Sequence, residues 1–150
     1  MAAGTARDDA CELCRSPGGE LLWEDDRCRV VRVVGEEGDA YPGYCRVVWR
    51  DHVREMSDLA AADRGHLFGV LVATERAVRE AVHPDKINLA SLGNLVPHLH
   101  WHVIPRWNQD SRFPSAIWAP PRRPLTTRTA PGDAELRRCL HESLDEMRMP

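Results

Sequence analysis

The sharpest alternation of apolar and polar positions in this chain falls at His98-Leu99-His100-Trp101-His102-Val103-Ile104. Successive strand side chains point to opposite faces, so the run predicts Leu99, Trp101 and Val103 on one side and His98, His100 and His102 on the other. Pro97 and Pro105 bracket it where ladder hydrogen bonds would end. Other stretches read as strands on weaker signals. Residues 21–24 and the β-branched run 28–34 form a hairpin across a turn at Asp25-Asp26. Residues 44–50 make a third strand and 86–92 a fourth, joined by a turn at Gly93-Asn94 to the fifth over 99–104. Residues 35–43 carry Gly35, Gly38, Pro42 and Gly43 and read as a loop.

The period changes between strands three and four. Leu67, Val70, Leu71, Thr74, Val78, Ala81 and Val82 fall on one helical stripe, with Ser57-Asp58 or Asp63 as N-cap and a stop before Pro84. Glu75 with Arg79 and Arg76 with Glu80 are i,i+4 pairs for its solvent side. Pro131 and Asp133 open a terminal helix whose apolar positions are Leu136, Leu140, Leu144 and Met147. Residues 106–131, rich in proline and arginine, show no period and read as a meander. Residues 1–9 are small and charged and are expected to be disordered. The architecture is α+β: a five-stranded antiparallel sheet with one long helix across it and a C-terminal helix. No internal repeat is visible.

Composition narrows the function classes. At 150 residues the chain is long enough for one core. A net charge of −3, with arginine spread along the chain, offers no basic footprint for nucleic acid. No run is long and apolar enough to span a membrane, and residues 1–9 lack the apolar centre of a secretory signal. Five cysteines, an odd number, fit reduced thiols and a cytoplasmic protein.

Three imidazoles on one strand face are better suited to a site than to a sheet. Each can donate, accept, bind a metal or attack an electrophile near neutral pH. Cys11-Glu12-Leu13-Cys14 is the second suggestive pattern. Two thiols at this spacing can grip one ion, form a redox dithiol, or be ordinary reduced cysteines, and no thioredoxin-like βαβ pattern surrounds them. Cys28, Cys45 and Cys139 read as small buried apolar residues. His66 and His83 read as surface residues, and Arg46 and Arg106 as surface arginines at strand ends. Trp107, Phe113 and Trp118 are candidates to cover a bound base or a subunit interface.

The His98-Leu99-His100-Trp101-His102-Val103-Ile104 run resembles the motif of the histidine triad (HIT) superfamily, His-x-His-x-His followed by apolar residues. The similarity extends through residues 86–94, through Pro105-Arg106, and upstream through residues 41–53. In all, residues 10–118 resemble bacterial HIT proteins of the diadenosine-tetraphosphate-hydrolase-like group, which leaves 119–150 as a tail and C-terminal helix. The resemblance implies a hydrolase or transferase that attacks the α-phosphate of a nucleoside polyphosphate or related nucleotide conjugate. The middle histidine, His100, would be the nucleophile and His102 would contact the phosphate, with His98 as the third triad member. Asn88 and Asn94 match polar positions near the phosphate, although Asn94 beside Gly93 could equally be a turn residue.

Some relatives hold zinc in a way that maps here onto Cys11, Cys14, His52 and His98, a closed structural site pinning the N-terminal arm to the histidine strand. A homodimer is also implied. One departure stands out: where some branches carry a serine that assists the leaving group, this chain has Leu95. That favours phosphate leaving groups, which need little protonation, over amines. The alternative is a zinc-binding, nucleotide-sensing module without turnover. Against it, a chain that only binds metal needs neither Asn88, Asn94 nor three aligned imidazoles.

Overall fold

The computed structural model describes residues 6–148. Five antiparallel strands, β1 (Glu20–Glu24), β2 (Cys28–Arg32), β3 (Cys45–Trp49), β4 (Lys86–Ala90) and β5 (His100–Arg106), lie in the order β1-β2-β3-β5-β4. After two short helices, α1 (Glu12–Arg15) and α2 (Gly35–Ala40), helix α3 (Ala61–Val82) connects β3 to β4 and carries the chain past the space that β5 then fills. β5 is therefore paired on both sides, with β3 and with β4, and β4 forms an edge. The expected α+β sheet with its long helix is what the chain builds.

One face of the sheet is dry. Val30, Val47 and Val103 point from it onto Leu67 and Leu71 of α3 and Leu136 and Leu140 of α4 (Asp133–Arg148). Each of these seven is at most 1% exposed, and fully burying such a side chain contributes about 1.5–3 kcal/mol. α4 lies along α3 in the same core, with the Met147 side chain over Gly69. Its flank draws Arg76 to Glu146, 3.6 Å away, and Glu80 to Arg138, 3.8 Å away, so the expected Arg76–Glu80 pair does not form. Glu75–Arg79 forms as expected, at 3.7 Å.

Several boundaries differ from expectation for local reasons. Residues 35–43 are not all loop: Gly35–Ala40 forms a short helix, α2, opened by Gly35 at φ 80°. Ser57-Asp58 does not cap α3. It belongs to a 3-10 turn, Met56–Asp58, in which Asp58 and Glu55 cap each other, and α3 starts at Ala61 with no side-chain cap. α3 ends before Pro84, at His83 in the left-handed region. β5 runs through Pro105 to Arg106. Pro105 lies beyond the last β3–β5 pair, Cys45 with Val103, where a missing N–H disturbs that ladder least.

Of the segment expected to be disordered, residues 1–5 lie outside the described residues. Residues 6–9 are held in place: Ala6 accepts from the His52 amide at 2.7 Å, and the Arg7 guanidinium donates to the Cys14 carbonyl at 2.6 Å. The 106–131 segment is likewise tied down, with the Arg123 guanidinium donating to the carbonyls of Asp110 and Phe113 at 2.7 and 2.9 Å. Among the described residues no helix is long and apolar enough to cross a membrane.

Candidate active site

The other face of the sheet carries the polar chemistry. His100 and His102 project from β5, opposite Val48 and Arg46 of β3. His98 does not share their strand, because β5 begins at His100. The chain bends at residues 94–98, so the three imidazoles do not form one row. His98 turns toward the N-terminal arm, while His100 and His102 stay over the sheet with ring centroids 4.9 Å apart.

Backbone carbonyls decide the proton positions on two of the rings, since a carbonyl can only accept. The Nε2–H of His98 donates to the Trp49 carbonyl at 2.6 Å, which leaves its Nδ1 bare. That Nδ1 lies 3.5 Å from the Sγ of both Cys11 and Cys14, and His52 Nδ1 is 3.5 Å from Cys14 Sγ. The four donor atoms all fall within 4.8 Å of one another. A tetrahedral ion with thiolate and imidazole ligands separates S from N by roughly 3.5 Å. The residues thus fit a metal, and the Nε2–H···O=C bond is the outer contact that orients a ligating histidine. Burial is the main influence raising the Cys14 thiol above its ordinary pKa, with the Cys11 thiol adding to it.

On His100 the arrangement is reversed. Its Nδ1–H donates to the His98 carbonyl at 2.5 Å, so Nε2 is the free nitrogen. Burial lowers the pKa of His100, and the Arg46 charge lowers it further, against the carbonyl bond that raises it. The ring is neutral and its Nε2 lone pair is available. His102 is pushed down to about 3, by burial first and then by His100 and Arg46. Its Nδ1 lies 2.6 Å from the Tyr44 hydroxyl, whose own pKa burial raises. A Tyr44 O–H donating to that Nδ1 puts the His102 proton on Nε2.

His100 and His102 line an open cleft of about 520 Å³ with Glu12, Glu37, Arg46, Asn94 and Trp118. Leu95, at 98% exposure, forms part of its rim, on the loop that also carries Asn94. Asn88 lies elsewhere. It faces a neighbouring cavity of about 380 Å³, and its Oδ1 accepts from Arg106 Nη1 at 2.8 Å. Trp118 borders both spaces, with its ring edge-on to His102 at 5.1 Å and its Nε1–H donating to Glu37 at 3.1 Å. Arg106 is not at the surface: it is 1% exposed and forked onto Asp110.

Sequence reasoning missed Tyr44, Glu37 and the position of Arg46. The only signal was spacing, since Tyr44, Arg46 and Val48 alternate onto the histidine face of β3. His66, expected at the surface, is half-buried. It pairs with Asp25 at 2.7 Å and ties the hairpin turn to α3.

Known proteins give this geometry a context. A curated relative, the AP-4-A phosphorylase of Mycobacterium tuberculosis, is 30% identical over 82 residues, 51% of this chain and 42% of that protein. The matched segment thus spans less than half of that relative's length. A histidine triad protein from Marinobacter aquaeolei superposes with a TM-score of 0.66 at 26% identity, over 87% of this chain and 92% of that one. A histidine triad family protein from Mycobacterium smegmatis, described as zinc-bound, shares the fold with a TM-score of 0.54 at 24% identity, over 91% and 94% of the two chains. The family model of the HIT domain matches residues 19–109, which take in all five strands. On that match the chain belongs to the HIT family, whose members process nucleotides.

Proposed function

We propose that this chain hydrolyses or transfers nucleotides by attack on an α-phosphate, through a nucleotidyl intermediate on His100. The observation that carries the reading is the carbonyl-held Nδ1–H of His100. It leaves a neutral imidazole with Nε2 unprotonated in an open cleft, the form needed to attack phosphorus. The N–P bond forms as the bond to the leaving group breaks, and water later returns the imidazole. With its proton on Nε2, His102 donates to a phosphate oxygen as charge builds. Asn94 supplies a neutral amide at the rim. Asn88, held by Arg106, belongs to the neighbouring cavity and contacts the substrate only if it extends past Trp118. Nucleoside polyphosphates and related conjugates are the substrate class, and residues 10–118 form the unit that acts on them.

Cys11, Cys14, His52 and His98 would hold zinc on the strength of the donor set alone. When bound, the ion would fix the arm of residues 6–15 against the strand. Its ligand His98 supplies the carbonyl that orients His100, so the structural ion and the nucleophile are one residue apart in the hydrogen-bond chain. The expected homodimer would use the edge strand β4, where Leu89 is exposed and one side of the ladder is unpaired.

The test is intact-protein mass spectrometry after rapid mixing with a dinucleoside polyphosphate. An adduct of one nucleotidyl group that maps to His100 supports the enzyme. Binding without adduct or product, at any mixing time, would leave the sensing module as the better reading.

A further inference from the structure

The cleft in front of His100 is lined by three formally charged side chains, two acids and one base: Glu12, Glu37 and Arg46. That is an unusual balance for a site that receives a phosphate, and among the described residues Arg46 is its only fixed cation. The guanidinium is incompletely used. Nη1 donates to the Gly18 carbonyl at 3.1 Å, but the buried Nε has no acceptor. Nη2 meets Glu37 only at 3.8 Å, too far for a hydrogen bond. Arg46 also stands opposite His102 across the β3–β5 ladder, within the short reach of a cross-strand pair. A planar fork with its Nη2 donor spare, on the strand face that carries His100 and His102, matches the oxygens of a phosphate.

We propose that Arg46 is the phosphate-binding cation of this cleft, and that Glu37 holds its charge in place until a phosphate replaces the carboxylate. The proposal rests on the nucleotide reading above and adds a specificity consequence to it. Displaced from Arg46, Glu37 remains in the cleft as a negative charge, and Glu12 is a second acid in its lining. Each further phosphate on the substrate meets that repulsion, so Glu37 penalises longer phosphate chains. Trp118, hydrogen-bonded to Glu37, reports the exchange because its indole sits against His102.

The experiment titrates adenosine, AMP and ADP into the wild-type protein, Arg46→Gln, Arg46→Lys and Glu37→Gln, following tryptophan fluorescence and calorimetry. Arg46→Gln should weaken AMP binding about tenfold or more, with Arg46→Lys in between, while adenosine affinity stays within about twofold. Glu37→Gln should tighten ADP binding by more than it tightens AMP binding. Glu37 lies at the cleft edge and its replacement keeps size, so this arm stands even if Arg46→Gln folds poorly. The proposal is overturned if Arg46→Gln binds AMP as well as wild type, or loses adenosine and AMP equally. A Glu37→Gln protein with unchanged or weaker preference for ADP over AMP also overturns it. If the wild-type protein turns over nucleotides while Arg46→Gln keeps both KM and kcat, this assignment alone fails. If the wild-type protein binds none of the three, the nucleotide reading falls with it.

Discussion

The two faces of the sheet are built by different rules, although every strand contributes to both. On the helix face, Val30, Val47 and Val103 meet α3 and α4 through contacts that specify volume and little else. On the opposite face, the three histidines and Arg106 each have named partners. His98 answers to Trp49, His100 to His98, His102 to Tyr44, and Arg106 to Asp110 and Asn88. A dry face tolerates shape errors at a graded cost. A polar face fails one bond at a time, because a buried group that loses its partner bears the full desolvation cost. Stability and chemistry should therefore separate by face.

The largest separation is expected at His100. His100→Asn should reduce turnover at least roughly a hundredfold while nucleotide affinity changes by less than about tenfold. His102→Asn should hurt less. Steady-state kinetics beside equilibrium titration checks both, and a more damaging His102→Asn would reassign the nucleophile.

Next is Asp110, where the polar face carries stability. Burial alone would raise this carboxyl, but Arg106 and the backbone amides of Arg112 and Trp107 hold it below its usual value. A carboxylate with a lowered folded pKa contributes its stabilisation fully above the unfolded value, near ~4, and loses it as pH falls through the folded value. Asp110→Asn strands a guanidinium that is 1% exposed and should cost about 3–5 kcal/mol at pH 7. Urea titrations from pH 7 down to pH 3 should show the wild-type advantage shrinking at the acid end. A constant gap across that range would show that the pair is not its source.

Val47→Ala tests the dry face. It should lower stability by roughly 2 kcal/mol and leave turnover per folded molecule unchanged. Lost turnover without lost stability would mean that the two faces are coupled through β3.

The smallest and most diagnostic effect on turnover is expected at the cysteines. Purified protein should hold about one zinc per chain. Cys11→Ser, or removal of the metal by a chelator, should lower the melting temperature more than it lowers turnover per folded molecule. Comparable loss of both would mean that the His98 carbonyl needs the ion to aim His100. Metal analysis showing no zinc would remove the site.

Much of this was legible along the chain because local rules generate it. Alternation placed the histidine strand, a β-branched run and turn residues placed others, the helical stripe placed α3, and apolar positions three or four apart placed α4. The triad and the Cys11/Cys14 pair announced themselves by spacing, and the metal group formed with the four residues that the resemblance implied. Residues 35–40 were not legible: two glycines obscure a short helix, whose Glu37 accepts from Trp118 of the tail and faces Arg46 of β3. Arg76 was assigned the wrong partner because an i,i+4 rule sees one helix, and α4 lies beside it.

By itself, then, the sequence determined what recurs with a period, the faces of strands and helices and the placing of His100 and His102 on one of them. Only the tertiary structure decided what those groups do. Which nitrogen of His98 or His100 carries the proton depends on a carbonyl from another segment. Whether Arg46 is a surface arginine or a cation of the cleft depends on β5 arriving beside β3. Periodicity is a property of neighbouring residues, so a sequence can display it. Protonation, pairing and burial are properties of residues brought together from 46 and 102, or 11 and 98, and no local pattern encodes them.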